Sequence, residues 1–255
     1  MVIQHNIAAN NAYRNLSSNA SNGQKNLEKL SSGYRINRSA DDAAGLAISE
    51  QMRSKINGLD QATSNANDAI GLIQTAEGAL TETHSMLQRM VTLATQSANG
   101  TYTTNARSAI KNEVSQLLTE IDRIAQHTEF NGVHPLNASD TAKLTFQIGP
   151  SSAETLNVSV KTMTEGAISV AGISVTTIAG ANAAIDKINK AIENVSAYRA
   201  ELGAAQNRLE HTINNLKVTS ENMTAAESRI RDTDMAKEMS AFTKNNILVQ
   251  ASQAM

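Results

Sequence analysis

Apolar residues recur at every seventh position over two long stretches of the chain. The first stretch runs from Met52 to Ala94 and the second from Ile188 to Ile230, and both cover the same number of residues. A seven-residue repeat sustained over this length is typical of long helices that pack side by side as a coiled coil. Two stripes of equal length can lie along one another, so we expect the chain to run out, turn and return, bringing its ends together.

Shorter helices are predicted around the first stripe. Residues 3–30 carry a looser heptad among many Asn and Ser residues, so this helix would be marginal alone and needs a partner to be ordered. Asn99 and Gly100 end the first long helix. A third helix is predicted from about Asn105 to the turn near residues 130–132, since its apolar residues have helical spacing.

The middle of the chain changes to a two-residue period. Apolar residues alternate with polar ones over residues 144–148 and again over 156–160, with a connection at 149–152, which predicts a β-hairpin. Residues 168–175 suggest either a further short strand or an extended loop. The predicted fold is therefore mainly α: an elongated antiparallel helical bundle or coiled coil formed by the N- and C-terminal halves, with a small β-hairpin region at about 140–176.

A joint between two helices is predicted within residues 30–53. Gly33 stands where a helix C-terminus favours a residue free to adopt positive φ. Ser39 and Asp42 have the spacing of a capping box for the next helix, and Asp41 and Asp42 place negative charge in its first turn.

A matching segment lies near the other end of the chain. Residues 229–234, with the sequence RIRDTD, stand just before the second stripe breaks at Lys237. If the two ends meet, this segment faces the first joint. We therefore predict that Arg35 or Arg38 forms an ion pair with Asp232 or Asp234, within one chain or between chains.

Composition agrees with thin, elongated packing. The chain has 255 residues, of which 40% are hydrophobic and only 3% aromatic, with no Trp or Cys. Both prolines, Pro135 and Pro150, lie in the middle, which leaves both ends open to long helices. The net charge is −2 from well-mixed basic and acidic residues, so neither a nucleic acid nor a membrane is expected as a partner. The N-terminus does not resemble a secretory signal, which by itself predicts a cytoplasmic protein.

Candidate chemistry is sparse. The five histidines have no metal-ligand spacing, and no phosphate-binding loop, dinucleotide fingerprint or nucleophile elbow is present. The pairs Asp41/Asp42 and Asp232/Asp234 could serve as acid–base carboxylates, but helix capping explains them better. We therefore predict no enzymatic activity, no cofactor and no metal.

Several motifs together resemble those of bacterial flagellins, and the resemblance extends over both ends and the flanks of the middle, about three quarters of the chain. They are IQHNIAANN at residues 3–11, LSSGYRINRSADDAAGLAISEQMR at 30–53, LQRMVTLATQSANG at 87–100, EIDRIAQHTEFNG at 120–132, FQIG at 146–149, LGAAQNRLEHTINNL at 202–216 and ESRIRDTDMAKEM at 227–239. The resemblance implies a self-assembling structural subunit of the flagellar filament, which acts in motility. It also implies that residues 1–42 and 232–255 form an inner coiled-coil domain, that residues 43–231 form a helical rod domain, and that the variable outer domains are absent.

The same resemblance implies how the subunit leaves the cell and what it meets. Flagellins pass unfolded through the flagellar type III export channel, which would place this chain in the extracellular filament despite the missing secretory signal. An export chaperone and a filament cap protein are implied as partners, besides other copies of the chain. Flagellins also continue beyond the position of Met255 with further amphipathic helix, so we expect this chain to be a truncated form.

Flagellins are also ligands of Toll-like receptor 5, which binds the rod domain. The corresponding region is residues 87–96, and the implied contact candidates are Gln88, Arg89, Leu93, Gln96 and, on the next helix, Glu113. Val91 and Thr92 depart from the family, which commonly carries charged residues there. Two alternatives remain open: a hook–filament junction protein, or a secreted flagellin that acts mainly as an immune-receptor ligand.

Overall fold

The computed structural model describes residues 6–137 and 143–254, and within them it contains five helices and two strands. These are α1 (Ile7–Ser32), α2 (Ala43–Ala98), α3 (Thr104–His127), β1 (Lys143–Gln147), β2 (Thr155–Ser159), α4 (Ile178–Arg231) and α5 (Met235–Ala254). The mainly α class is confirmed. The beginning of the predicted 140–176 region, up to residue 142, lies outside the described residues.

The chain forms two compact units, and both boundaries fall inside long helices. One unit combines Met1–Gly58 with Val218–Met255 and is called the terminal unit below, and the other is Leu59–Lys217, called the central unit. The predicted division into an inner domain of residues 1–42 and 232–255 and a rod of residues 43–231 refers to the assembled filament and stays a prediction.

The central unit has one hydrophobic core, to which both apolar stripes contribute. Arg199 on α4 forms an ion pair with Glu77 on α2 at 3.4 Å, and the Ser97 hydroxyl near the end of α2 donates to the carbonyl oxygen of Val175 just before α4. The two helices therefore run antiparallel, as predicted. The buried stripe residues in this core are Ala66, Ile73, Leu80, Leu87, Ala94, Ile188, Val195, Leu202 and Leu209.

The predicted hairpin is present in the same unit. β1 and β2 pair antiparallel, with Phe146 opposite Leu156, and Leu156 turns its side chain into the core. Residues 168–175 form a turn-rich loop, so the loop alternative is correct. Ser169 and Gly172 both adopt positive φ, of 64° and 67°. Because both residues lie in the left-handed region, the segment cannot keep the extended backbone that a strand requires.

Tyr198 links the hairpin to α4. Its side chain is 1% exposed, and its hydroxyl lies 3.3 Å from the carbonyl oxygen of Pro135 and 3.4 Å from that of Ser159. The backbone N–H of Lys161 donates to the same hydroxyl at 3.4 Å. Burial raises the pKa of Tyr198 above its ordinary value of 10.0, because the phenolate would lose its hydration there.

We expect Tyr198 to make the central unit sensitive to strong alkali. The folded pKa lies above the unfolded one, so the contribution of the neutral hydroxyl is complete below the unfolded pKa and is lost as pH rises through the raised folded pKa. Tyr198→Phe should cost about 1 kcal/mol near neutral pH and flatten the alkaline loss of stability. Urea unfolding across alkaline pH measures both. Tyr13→Phe, at an exposed side chain, is the control, and equal alkaline slopes for the two variants would contradict the assignment.

Candidate assembly joint and interaction faces

The predicted joint is present in the terminal unit, but its capping differs in part. Gly33 ends α1 with φ 76°, and its N–H donates to the Lys29 carbonyl oxygen at 2.9 Å, as expected. The predicted capping box at Ser39 is wrong. α2 begins only at Ala43, and Asp42 caps it by accepting from the Gly45 N–H at 2.9 Å. Asp41 and Asp42 therefore precede the first turn, which contains no acidic residue.

Asp41 shapes the loop between the two helices. Its Oδ2 accepts from the backbone N–H of Arg38 at 3.0 Å and of Asn37 at 3.2 Å. These two bonds favour the charged carboxylate, so they lower the pKa of Asp41. The loop then places Ile36, which is buried, against Gly45, where an added Cβ would lie 2.8 Å from the Ile36 Cδ1. A close approach of loop and helix explains the glycine.

The two joint segments meet through their backbones. The N–H of Arg35 donates to the Arg231 carbonyl oxygen at 2.6 Å, and the N–H of Thr233 donates to the Gly33 carbonyl oxygen at 3.0 Å. Tyr34 and Asp232 thus face each other in an isolated antiparallel bridge. The prediction that the chain brings these two segments together holds, although backbone groups make the contact.

Arg231 is the charged centre of the joint, and sequence reasoning missed it. Its guanidinium lies 2.7 Å from the Glu50 carboxylate and 4.6 Å from the centre of the Tyr34 ring, and its side chain is only 12% exposed. The run of charges at residues 229–234 was the available signal. Because Arg231 is the last residue of α4, the direction of its side chain depends on how the helix ends against α2.

The predicted ion pairs are replaced by other contacts within one chain. The side chain of Arg35 donates to the Ile230 carbonyl oxygen, and Arg38 pairs with Glu28 at 2.9 Å. Asp234 caps α5 by accepting from the Lys237 N–H at 3.1 Å. Among the described residues, neither arginine forms an ion pair with Asp232 or Asp234, and pairing between chains stays a prediction.

The terminal helices α1 and α5 pair antiparallel. Asn19 donates to Ser252 at 3.4 Å, and Asn26, in the amide orientation that satisfies its neighbours, accepts from Asn245 at 2.9 Å. No residue of α1 is buried, as expected for a helix with so few apolar residues. Seven large apolar side chains on these helices, called the terminal apolar residues below, remain exposed: Ile7, Tyr13, Leu27, Met235, Met239, Ile247 and Leu248.

The receptor candidates lie on α2 and α3 of the central unit. Arg89 reaches across to Glu113, with a guanidinium–carboxylate distance of 2.8 Å and both side chains about half exposed. Gln96 donates to the Tyr102 hydroxyl at 2.9 Å, and Gln88 lies 3.0 Å from His84. Leu93 needs a correction. It is 2% exposed and belongs to the core, so its side chain is not available to a receptor in this conformation.

Across residues 6–137 and 143–254, no three His, Cys, Asp or Glu side chains come together in a way that could hold a metal ion. In those same residues, no helix is both long and apolar enough to cross a membrane.

These features define a mainly helical structural protein whose terminal helices pair and expose apolar side chains. Residues 3–141 match the bacterial flagellin N-terminal helical region, and residues 185–255 match the bacterial flagellin C-terminal helical region. The chain therefore belongs to the bacterial flagellin family and is a structural subunit of the flagellar filament. Members of this family polymerise with themselves into the extracellular filament.

Individual flagellar filament proteins are similar to this chain along its whole length. Flagellins from Bacillus subtilis and Halalkalibacterium halodurans are 53% and 54% identical, covering 100% of this chain and 95% and 94% of theirs. The flagellar filament 33 kDa core protein of Treponema phagedenis is 47% identical with 100% and 94% coverage. The crystal structure of Bacillus cereus flagellin, 33% identical, matches 64% of this chain and 94% of that one with a TM-score of 0.56. These matches favour flagellin over the hook–filament junction alternative.

Proposed function

We propose that copies of this chain assemble through the terminal apolar residues, with α1 and α5 forming the inner filament domain and α2, α3, the hairpin and α4 forming the rod domain. The observation that carries this proposal is the exposure of large apolar side chains on two helices that pair with each other and leave α1 without a buried residue. Covering such side chains in an interface contributes roughly 25 cal/mol for each Å² removed from water.

The remaining parts of the proposal concern the route and the partners of the subunit. We infer that it is exported through the flagellar type III channel, assisted by an export chaperone, and added beneath a filament cap protein, and that it has no enzymatic function. The N-terminal helix supports the export route. Because α1 has no buried residue, it can unfold at little cost in free energy before export and become ordered again on assembly.

Ile247→Lys is expected to prevent assembly while leaving the subunit folded. Ile247 is 61% exposed on α5, so a lysine costs little in the monomer, but within an assembly interface its ammonium group would be desolvated. Sedimentation after addition of sheared filament seeds should show pelleting of the wild-type chain and almost none of the variant. Circular dichroism should show equal helicity.

Val218→Lys is the matched control. Val218 is 58% exposed and belongs to the same unit, but it lies on α4 and not on the paired terminal helices. This variant should pellet like the wild type. Assembly of the Ile247 variant, or an equal loss of assembly in the Val218 variant, would refute the proposed interface.

We propose recognition by Toll-like receptor 5 as a second function, supported by the Arg89–Glu113 pair. The two side chains present a guanidinium and a carboxylate together on adjacent helices of a rigid core, and each is about half exposed. Arginines held in place by a neighbour are frequent anchors of protein interfaces, because less side-chain entropy is lost on binding.

Arg89→Ala is expected to weaken binding to the receptor ectodomain by about tenfold or more, the usual effect of removing an interface anchor. Stability should change by no more than about 1 kcal/mol, since the ion pair is solvent-exposed. Surface plasmon resonance and thermal unfolding measure the two effects. Arg123→Ala removes a comparable exposed pair, with Glu120 on α3, and should bind normally. Equal binding by both variants would exclude Arg89 as an anchor.

A further inference from the structure

Four Asn–Gly dipeptides occur in the chain, and the structure places them in different surroundings. Asn22–Gly23 lies inside α1 and Asn57–Gly58 inside α2, whereas Asn99–Gly100 follows the end of α2 and Asn131–Gly132 occupies a tight turn. Glycine has no Cβ, so its backbone nitrogen can approach the side-chain carbonyl carbon of the preceding asparagine more closely than any other residue allows. This approach is the first step of asparagine deamidation.

At Asn99 the side chain is folded back over the following peptide. The backbone N–H of Thr101 donates to Asn99 Oδ1 at 3.3 Å, which closes an Asx turn and folds the side-chain carbonyl group back toward the peptide that follows Asn99. Within the described residues, no carbonyl oxygen accepts from the Gly100 N–H. Asn99 and Gly100 are both exposed, so water and hydroxide reach them freely.

We propose that Asn99 is a self-modifying site, at which the Asn99–Gly100 peptide closes to a succinimide and opens to aspartate or isoaspartate. Gly100 N loses its proton to hydroxide and forms a bond to Asn99 Cγ. Negative charge then develops on Oδ1, where the Thr101 N–H is already placed to donate. The Cγ–Nδ2 bond breaks, and ammonia leaves with a proton from water. Water finally adds to either imide carbonyl, which yields the two acids.

The other three dipeptides lack this arrangement. In the helices, the glycine N–H is engaged by the carbonyl oxygen four residues earlier, and the helical backbone keeps the nitrogen away from the side chain. Asn131 and Gly132 have φ values of 51° and 79° in a turn closed by reciprocal backbone bonds between Phe130 and Val133. Within the described residues, no N–H donates to the Asn131 side chain.

The product would lie beside a positive charge. Arg107 donates to the carbonyl oxygens of Ser97 and Asn99 at 2.9 and 3.0 Å, so its guanidinium is close to the new carboxylate. An aspartate keeps the backbone length, whereas an isoaspartate inserts a methylene group between α2 and α3. The modification would therefore change both the charge and the geometry of this turn.

Incubation of the full chain in mildly alkaline buffer, followed by peptide mass spectrometry, tests the proposal. Isoaspartate is counted separately with a protein isoaspartyl methyltransferase. We expect Asn99 to convert about tenfold or more faster than each of the other three sites, which corresponds to about 1.4 kcal/mol in the barrier. Conversion at Asn131 or at either helical site as fast as at Asn99 would overturn the proposal.

Two substitutions separate the elements of the mechanism. Gly100→Ala meets no atom within 4 Å, so the fold should be kept, while the added methyl hinders attack and should slow conversion about tenfold. Thr101→Pro removes the N–H that donates to Oδ1 and should also slow conversion, whereas Thr101→Ala keeps the N–H and should not. Circular dichroism verifies folding of each variant. An unchanged rate in Gly100→Ala, or equal rates in the two Thr101 variants, would refute the assigned geometry.

Discussion

Leu93→Ala is expected to lower the free energy of unfolding of the central unit by about 2–5 kcal/mol, the usual cost of removing a fully buried leucine side chain. Leu93 is 2% exposed and belongs to the core that α2 shares with α3, α4 and the hairpin. The substitution removes apolar contacts and leaves a cavity that the surrounding helices fill only in part. Urea unfolding followed by circular dichroism measures the loss.

Ile178→Ala is the matched control, because Ile178 lies in the same unit at 44% exposure. We expect it to cost within about 0.5 kcal/mol, as for most surface substitutions. The comparison also helps to interpret receptor-binding experiments. Because the Leu93 side chain is buried, we expect a Leu93 variant that binds the receptor weakly to do so through loss of folding and not through loss of a direct contact. Similar midpoints for the two variants would contradict the burial of Leu93.

Arg231→Ala is expected to destabilise the joint of the terminal unit by about 1–2 kcal/mol, through loss of the bond to Glu50 and of the stacking on Tyr34. The ion pair is partly screened because the Glu50 side chain is 54% exposed, so a larger cost is not expected. Hydrogen exchange should show the local effect. The amides of Arg35 and Thr233, which donate across the joint, should lose protection first.

Arg38→Ala tests the same joint at its more exposed arginine. The Arg38 side chain is 72% exposed and, among the described residues, forms an ion pair with Glu28, so its loss should leave the free energy of unfolding close to that of the wild type. Protection at Arg35 and Thr233 should stay as in the wild type. If Arg38→Ala opened the joint and Arg231→Ala did not, the assignment of Arg231 as its centre would be wrong.

Periodicity was sufficient to predict α2, α3, α4 and the hairpin, whereas α5 was expected only from the resemblance to flagellins. The seven-residue stripes became α2 and α4, and the alternation around Phe146 and Leu156 became the hairpin, because burial of one face imposes the period of each element on the sequence. Gly33 was also predictable, since a helix end with positive φ strongly favours glycine. The N-terminal boundary of α2 was less predictable from the sequence. Ser39 and Asp42 both suit a cap, and only the path of the loop decides between them.

Side-chain partners depended on the tertiary structure. Arg35, Arg38 and Arg231 are chemically equivalent along the chain, and each has an acidic residue within reach of some arrangement of the joint. The backbone bridge between Tyr34 and Asp232 settles the arrangement, and it leaves Arg231 beside Glu50.

The sequence by itself determined the helices, the hairpin and the membership of the flagellin family, because periodic burial and extended motifs are written in consecutive residues. Only the tertiary structure decided that Leu93 is buried, that Arg231 holds the joint and that the Thr101 N–H faces the Asn99 side chain. Each of these depends on the direction of one side chain relative to a neighbouring segment. That direction results from packing and is not visible in the local pattern.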